Sequence, residues 1–125
     1  MSSTQMLKGI LEGCLLAVIS EGEIYGYEMT KVLAGYGFSD ISEGSIYPIL
    51  LRMQKEKWVE TELKRSASGP KRKYYRLTPL GEAELQSFID RWKALSGNVN
   101  ALLEKKTEGE VKLCYQRTCK TYWTR

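Results

Sequence analysis

The chain has 125 residues, of which 42% are apolar and 27% are charged, and this composition predicts one soluble globular domain with a single core. Nineteen basic and 15 acidic residues give a net charge of +4, and the absence of histidine excludes a Cys/His zinc site. Three cysteines argue against a disulfide framework, and no apolar run reaches the roughly 18 residues of a membrane span, so we expect a cytoplasmic protein that does not enter a membrane.

The first predicted element is an amphipathic helix that ends near Glu21 and Gly22. Its apolar residues recur at i, i+3, i+4 and i+7, the spacing of one buried helical face. We interpret Cys14 on this face as a core residue. The apolar positions are Leu7, Ile10, Leu11, Cys14, Leu15, Val18 and Ile19.

Two further helices follow, the first over residues 26–33 and the second from residues 42–45 to residue 55. A short glycine-containing linker joins them, which indicates a helix-turn-helix. Either Ser42 or Ser45 can cap the second of these helices. If Ser45 is the cap, Pro48 lies in the tolerated first turn; if Ser42 is the cap, Pro48 removes one helical hydrogen bond and kinks the helix.

A β-hairpin with a basic tip is predicted next. Residues 58–63 and 73–77 are rich in aromatic and branched side chains, and the turn-forming residues 66–70 separate them. Without the six cations of this region, the net charge of +4 becomes −2, so the positive charge is local. A basic hairpin after a helix-turn-helix indicates a wing that contacts a polyanion, although a solvated hairpin tip would have the same composition. The six cations are Lys64, Arg65, Lys71, Arg72, Lys73 and Arg76.

The last predicted element is a long helix that begins after the capping residue Thr78, with Pro79 in the first position. Its apolar residues alternate at spacings of three and four, as in the a/d seam of a coiled coil. A monomer can bury only part of such a seam, so we expect a homodimer through this helix, the alternative being a helix packed within one chain. The seam consists of Leu85, Phe88, Trp92, Leu95, Val99 and Leu102.

These elements together predict an α+β, mainly α fold: a winged helix-turn-helix domain with a long C-terminal dimerisation helix. A recognition helix presents its N-terminal residues to base edges in the major groove, while wing cations bind phosphates. A two-fold dimer would therefore bind an inverted-repeat operator in double-stranded DNA. Tyr47 could instead be a packing residue, and Ser42 only a helix cap. The candidate DNA contacts are Ser42, Ser45, Tyr47, Lys64, Arg65, Lys71, Arg72 and Lys73.

Three stretches in this order resemble the PadR family of transcriptional regulators. Residues 42–53 resemble its recognition helix, residues 25–29 the preceding helix, and residues 69–81 its wing and the Leu-Thr-x-x-Gly start of the next helix. The resemblance spans residues 6–106. It implies a winged-helix dimer that represses transcription and is released by a small effector, such as a phenolic acid or a drug.

The resemblance also implies roles for single residues. The DNA contacts of the family correspond to Ser45, Tyr47 and the wing cations. One subgroup binds flat aromatic drugs between paired tryptophans of the long helix, and Trp92 stands in the matching place. We assign Phe88 and Leu15 to the same candidate effector site, with the alternative that Trp92 belongs only to the dimer seam.

The sequence departs from the family pattern in two places. Lys57 stands where the family commonly has a glycine after the recognition helix, and we expect little functional consequence. The tail, residues 107–125, shows no clear period, and a redox role of Cys114 and Cys119 stays open. We therefore divide the chain into a DNA-binding domain at residues 1–77, a dimerisation helix at residues 78–106, and this divergent or partly disordered tail.

An enzyme is not expected, because the sequence offers no histidine, no metal cluster, no phosphate-binding glycine loop and no nucleophile–base pair. We therefore predict no catalytic residues, no metal and no cofactor. The remaining alternative is a winged-helix module that binds another protein without operator binding. Salt dependence separates the two, because binding through phosphate contacts weakens steeply as salt rises.

Overall fold

The computed structural model describes residues 3–65 and 69–105, with side chains from Met6 onwards. The predicted tail with Cys114 and Cys119, and residues 66–68 of the predicted hairpin turn, lie outside the described residues. Within them, five helices and a small three-stranded antiparallel sheet are present, which confirms the predicted mainly α fold with a wing. The elements are α1 (Ser3–Lys8), α2 (Leu11–Ser20), β1 (Ile24–Tyr25), α3 (Gly26–Gly35), α4 (Glu43–Lys55), β2 (Val59–Arg65), β3 (Lys71–Leu77) and α5 (Pro79–Lys105).

The predicted first helix is two helices, so the expectation of one continuous helix was wrong. The chain leaves helical geometry at Gly9 and Ile10. The Ile10 amide there donates a hydrogen bond of 2.9 Å to the Leu7 carbonyl. Glycine is a poor helix former, because it loses the most backbone freedom on folding. Leu7 and Leu11 on either side of the break are both buried, so the apolar period continues across it.

The sheet contains one strand more than the predicted hairpin. β3 is central, with β2 on one side and the two-residue strand β1 on the other, and both pairings are antiparallel. The hairpin register runs from Val59 opposite Leu77 to Arg65 opposite Lys71. The strands therefore extend further towards the hairpin end than expected, and all six cations of the basic region lie on β2 or β3.

The core lies within the first of two compact units, which consists of residues 1–88. Its apolar residues come from α1 to α4 and from the sheet, so the helix-turn-helix and the wing pack on the same hydrophobic core. The first ten residues of α5 belong to this unit, and the rest of the helix, from Ile89 onwards, belongs to the second unit. The buried core residues are Leu7, Leu11, Leu15, Leu16, Ile19, Met29, Leu33, Ile46, Leu50, Met53, Val59 and Tyr75.

Candidate nucleic-acid interface

The N-terminus of α4 is capped by Ser42, which decides between the two predicted caps. The Ser42 Oγ accepts a hydrogen bond of 3.3 Å from the Ser45 amide, and the two serine hydroxyls lie 3.2 Å apart. Pro48 therefore lies inside the helix, where it has no N–H to donate to the Gly44 carbonyl. Both serines are exposed, so capping leaves their hydroxyls accessible from solvent.

Tyr47 is both packed and accessible. Its side chain is 46% exposed, and its hydroxyl donates a hydrogen bond of 2.9 Å to Oε2 of Glu43, one turn earlier. The phenol lies over Gly26, where an added Cβ would be only 2.9 Å from the Tyr47 oxygen. The hydrogen bond to Glu43 and then burial raise the pKa of Tyr47, so its hydroxyl stays protonated at neutral pH.

A groove of about 490 Å³ joins the starts of α3 and α4 to the wing strand β3. It brings four of the predicted DNA contacts together, namely Tyr47 and the three consecutive cations of β3. The other four, Ser42, Ser45, Lys64 and Arg65, do not line it. The lining residues are Tyr25, Gly26, Tyr27, Glu43, Tyr47, Lys71, Arg72, Lys73 and Tyr75.

Two of the three groove cations contact other elements of the same unit. The Arg72 guanidinium lies over the Tyr25 ring, 4.6 Å from its centroid, and its buried Nε has no hydrogen-bond partner among the described residues. The Lys73 ammonium donates a hydrogen bond of 3.1 Å to the Gln54 side chain on α4. These contacts hold β3 beside β1 and beside α4.

Two other cations of the basic region are paired with carboxylates. The Lys64 ammonium lies 2.6 Å from Glu23, and this carboxylate raises the pKa of Lys64. Arg76 lies 3.2 Å from Glu60 and 3.5 Å from Glu62. Their charge is thus partly neutralised within the chain, which the sequence pattern does not indicate.

Arg65 and Lys71 face each other at the hairpin end of β2 and β3, and both are exposed. Like charges at opposed positions repel, so a bound polyanion at this place would relieve the repulsion. Arg52, another cation of α4, instead pairs with Glu12 on α2 and lies over the Trp58 ring at 5.4 Å. Arg52 therefore links α2 to α4, and its charge is already paired with a carboxylate.

Several residues that shape this surface were not predicted from the sequence. The spacing of Glu43 and Tyr47, four residues apart on one helix, is a local signal that could have indicated their contact. Gly26, Gln54 and Glu23 act through contacts with residues distant in sequence. For these three residues a single sequence offers no such signal.

The predicted effector residues are not equivalent in the structure. Leu15 is fully buried in the core and presents no surface to a ligand, so we remove it from the candidate effector site. Phe88 is partly buried, and its ring packs against Gly13 of α2, where any added Cβ would clash with it. Trp92 in the second unit is 43% exposed.

The predicted seam divides into a partly buried and an exposed portion. Leu85 and Phe88 are partly buried in the first unit, whereas the later seam residues of α5 are between 43% and 63% exposed. The exposed seam residues are Trp92, Leu95, Val99 and Leu102.

Residues 3–65 and 69–105 contain neither a metal-binding cluster nor a membrane-spanning helix. No group of three or more Asp, Glu or Cys side chains in this part of the chain is placed to hold a metal ion. None of its helices combines the length and apolar character that crossing a membrane requires.

The chain is similar to known regulators over most of its length. Residues 15–87 match the family described as "Transcriptional regulator PadR-like family". A PadR-like transcriptional regulator from Bacillus cereus is 56% identical, with a TM-score of 0.73 over 79% of this chain and 96% of its own. A Streptococcus transcriptional regulator is 41% identical, with a TM-score of 0.71 over 78% and 96%. "Uncharacterized protein X" of Lysinibacillus sphaericus is 28% identical over 83% of this chain and 97% of its own.

Proposed function

The chain belongs to the PadR-like family of transcriptional regulators, and on that premise we propose that it is a homodimeric repressor, released from an inverted-repeat operator by a small aromatic effector. The groove carries this proposal, because it brings Tyr47 of the recognition helix α4 beside the wing cations Lys71 and Lys73. We propose that the protein acts in the cytoplasm, where its DNA target lies.

Contacts to DNA would divide between two parts of this surface. Ser42, Ser45 and Tyr47 at the start of α4 are exposed and carry the hydroxyl groups that can reach base edges or phosphates. Arg65, Lys71 and Lys73 are exposed on the wing and would bind the flanking phosphates. Lys64 would add a further contact after release from Glu23, and Arg72 would hold the wing in place through Tyr25.

Dimerisation would proceed through the exposed part of the α5 seam. Four large apolar side chains on one face of a helix form a surface that monomeric proteins rarely leave in water. Pairing two copies would bury this surface and place two α4 helices for two half-sites of an operator. Leu85 and Phe88 would contribute less to the interface, because part of each side chain is already covered.

Release by an effector would depend on Trp92. A half-exposed tryptophan on the α5 face that we assign to the dimer can stack on a planar aromatic compound at that interface. A compound bound there would change operator binding only if it favoured one arrangement of the dimer over another. Phe88 would border such a site, whereas Leu15 would not.

Selection from a random duplex library tests the proposed function. We expect the full chain to enrich an inverted repeat whose half-sites are centred about 10 base pairs, or a multiple of this, apart. Sedimentation of the protein with the selected duplex should give a mass of two chains per duplex. No enrichment, together with salt-insensitive binding of a protein partner, would instead favour the winged-helix interaction module.

A further inference from the structure

We propose that Glu43 and Tyr47 form one acceptor unit that selects a cytosine in each half-site, an inference that rests on the proposed DNA binding. The two side chains lie one turn apart at the start of α4 and both line the groove beside β3. Neither the family match nor the sequence pattern assigns a role to Glu43.

The direction of their hydrogen bond fixes what the pair presents. An ionised carboxylate can only accept, so the Tyr47 hydroxyl must be the donor across the 2.9 Å contact. Its proton is then engaged, and the phenol oxygen offers lone pairs only. Oε1 of Glu43 accepts no other hydrogen bond among the described residues, so the exposed atoms of the pair are acceptors.

Two contacts keep this pair in place. The phenol of Tyr47 packs against Gly26 of α3, in space that a side chain at position 26 would occupy. Glu43 lies in the first turn of α4, where the partial positive charge of the helix end favours a carboxylate. The acceptors are therefore positioned before DNA arrives, which reduces the entropy cost of binding.

An acceptor pair distinguishes among the groups that DNA presents. Phosphates carry negative charge and accept hydrogen bonds, so Glu43 repels them while Lys71 and Lys73 at the same groove attract them. In the major groove only adenine and cytosine present an amino group. The adenine amino group has the acceptor N7 beside it, which repels a carboxylate, whereas cytosine has no such neighbour, so cytosine is the better match.

The test is binding-site selection with the full chain and three variants. Glu43→Gln keeps the shape of the side chain but replaces one acceptor oxygen by a donor, and Tyr47→Phe keeps the ring on Gly26 but removes the hydroxyl. Glu56→Gln is the matched control, because Glu56 is exposed at the opposite end of α4. The selected duplexes are then titrated with each protein, with the implicated base pair intact or exchanged for T·A.

We expect the wild type and Glu56→Gln to enrich one C·G pair per half-site and to lose about tenfold or more in affinity when it is exchanged. Glu43→Gln should lose this preference or transfer it to adenine, which glutamine contacts through N6 and N7, while retaining the other selected positions. Tyr47→Phe should weaken the preference without transferring it.

Two outcomes would overturn the inference about Glu43 but not the proposed function. One is an unchanged cytosine preference in Glu43→Gln, and the other is a Glu43-dependent position that is not C·G in the wild type. In both cases the selected operator would still support the proposed function. If the wild type enriches no sequence, the proposed function itself fails, and the role of Glu43 fails with it.

Discussion

The Lys64 ammonium of β2 lies 2.6 Å from a carboxylate oxygen of Glu23, just before β1. Both side chains are partly exposed, and exposed ion pairs contribute little to folding because water competes for both charges. The pair nevertheless matters for a polyanion, which must compete with Glu23 for Lys64. The free wing is therefore less positive than its six cations suggest.

Glu23→Gln should strengthen binding to DNA of any sequence. The amide removes the competing charge, so Lys64 becomes available to a phosphate, and the log–log slope of affinity against salt should steepen by about 0.9. Fluorescence anisotropy with a labelled duplex measures both quantities. Glu21→Gln, two residues earlier and exposed, is the control for the change in net charge. If Glu23→Gln and Glu21→Gln change DNA affinity equally, the ion pair between Lys64 and Glu23 does not limit DNA binding.

Leu95→Glu should convert the proposed dimer into monomers. Leu95 is 56% exposed on the seam face of α5, and a carboxylate buried between two helices would lack a partner. Sedimentation velocity measures the change in mass. Ala94→Glu places the same charge outside the seam, about 100° around the helix from Leu95, and should leave the dimer intact. A Leu95→Glu protein that still sediments as a dimer would place the interface elsewhere.

Lys57→Gly should stabilise the fold. Lys57 has a φ of 64°, a left-handed conformation that costs a residue with a Cβ about 1–2 kcal/mol but costs glycine little. Glycine also gains entropy in the unfolded chain, which offsets about 0.4–1 kcal/mol. We therefore expect the free energy of unfolding to rise by about 0.5–1 kcal/mol in urea titrations. A fall would mean that the lysine side chain makes a stabilising contact outweighing the backbone strain.

Planar aromatic compounds that bind the proposed effector site should quench the fluorescence of Trp92. Trp92→Ala should abolish the saturable quenching, although Trp58 and Trp123 remain as fluorophores. Trp58→Phe is the control, because Trp58 is partly buried against Arg52. Quenching that persists in Trp92→Ala would assign the compound to another site, and a compound that does not alter DNA affinity would not be an effector.

Local signals in the sequence predict much of this fold. The cap at Thr78 is confirmed, because its hydroxyl accepts a hydrogen bond of 3.1 Å from the Gly81 amide. The helix-turn-helix and hairpin follow equally from apolar periods and turn residues. The break at Gly9 is not evident, because the apolar period continues through it, and the two residues of β1 become a strand only by pairing with β3.

The candidate site likewise contains residues that the sequence predicts and residues that it does not. Tyr47 and the β3 cations were predicted because their residue types and order suffice to indicate a reading helix and a wing. Their partners were not, because Gln54 meets Lys73 from another element and Glu23 is 41 residues from Lys64. A single sequence shows that a cation is present. It does not show whether a carboxylate distant in the sequence lies beside that cation and neutralises its charge.

The salt dependence of operator binding by the chain with Lys71, Arg72 and Lys73 all changed to alanine tests the central claim most directly. We predict that affinity for the selected operator falls by orders of magnitude, that the log–log salt slope becomes shallower by about 2–3, and that the sedimenting mass stays that of the wild type. Circular dichroism confirms the fold, and Lys93→Ala, which removes a cation that does not line the groove, is the control for loss of positive charge. Unchanged affinity and slope in the triple variant would contradict the account, because the groove would then not be the DNA-binding surface.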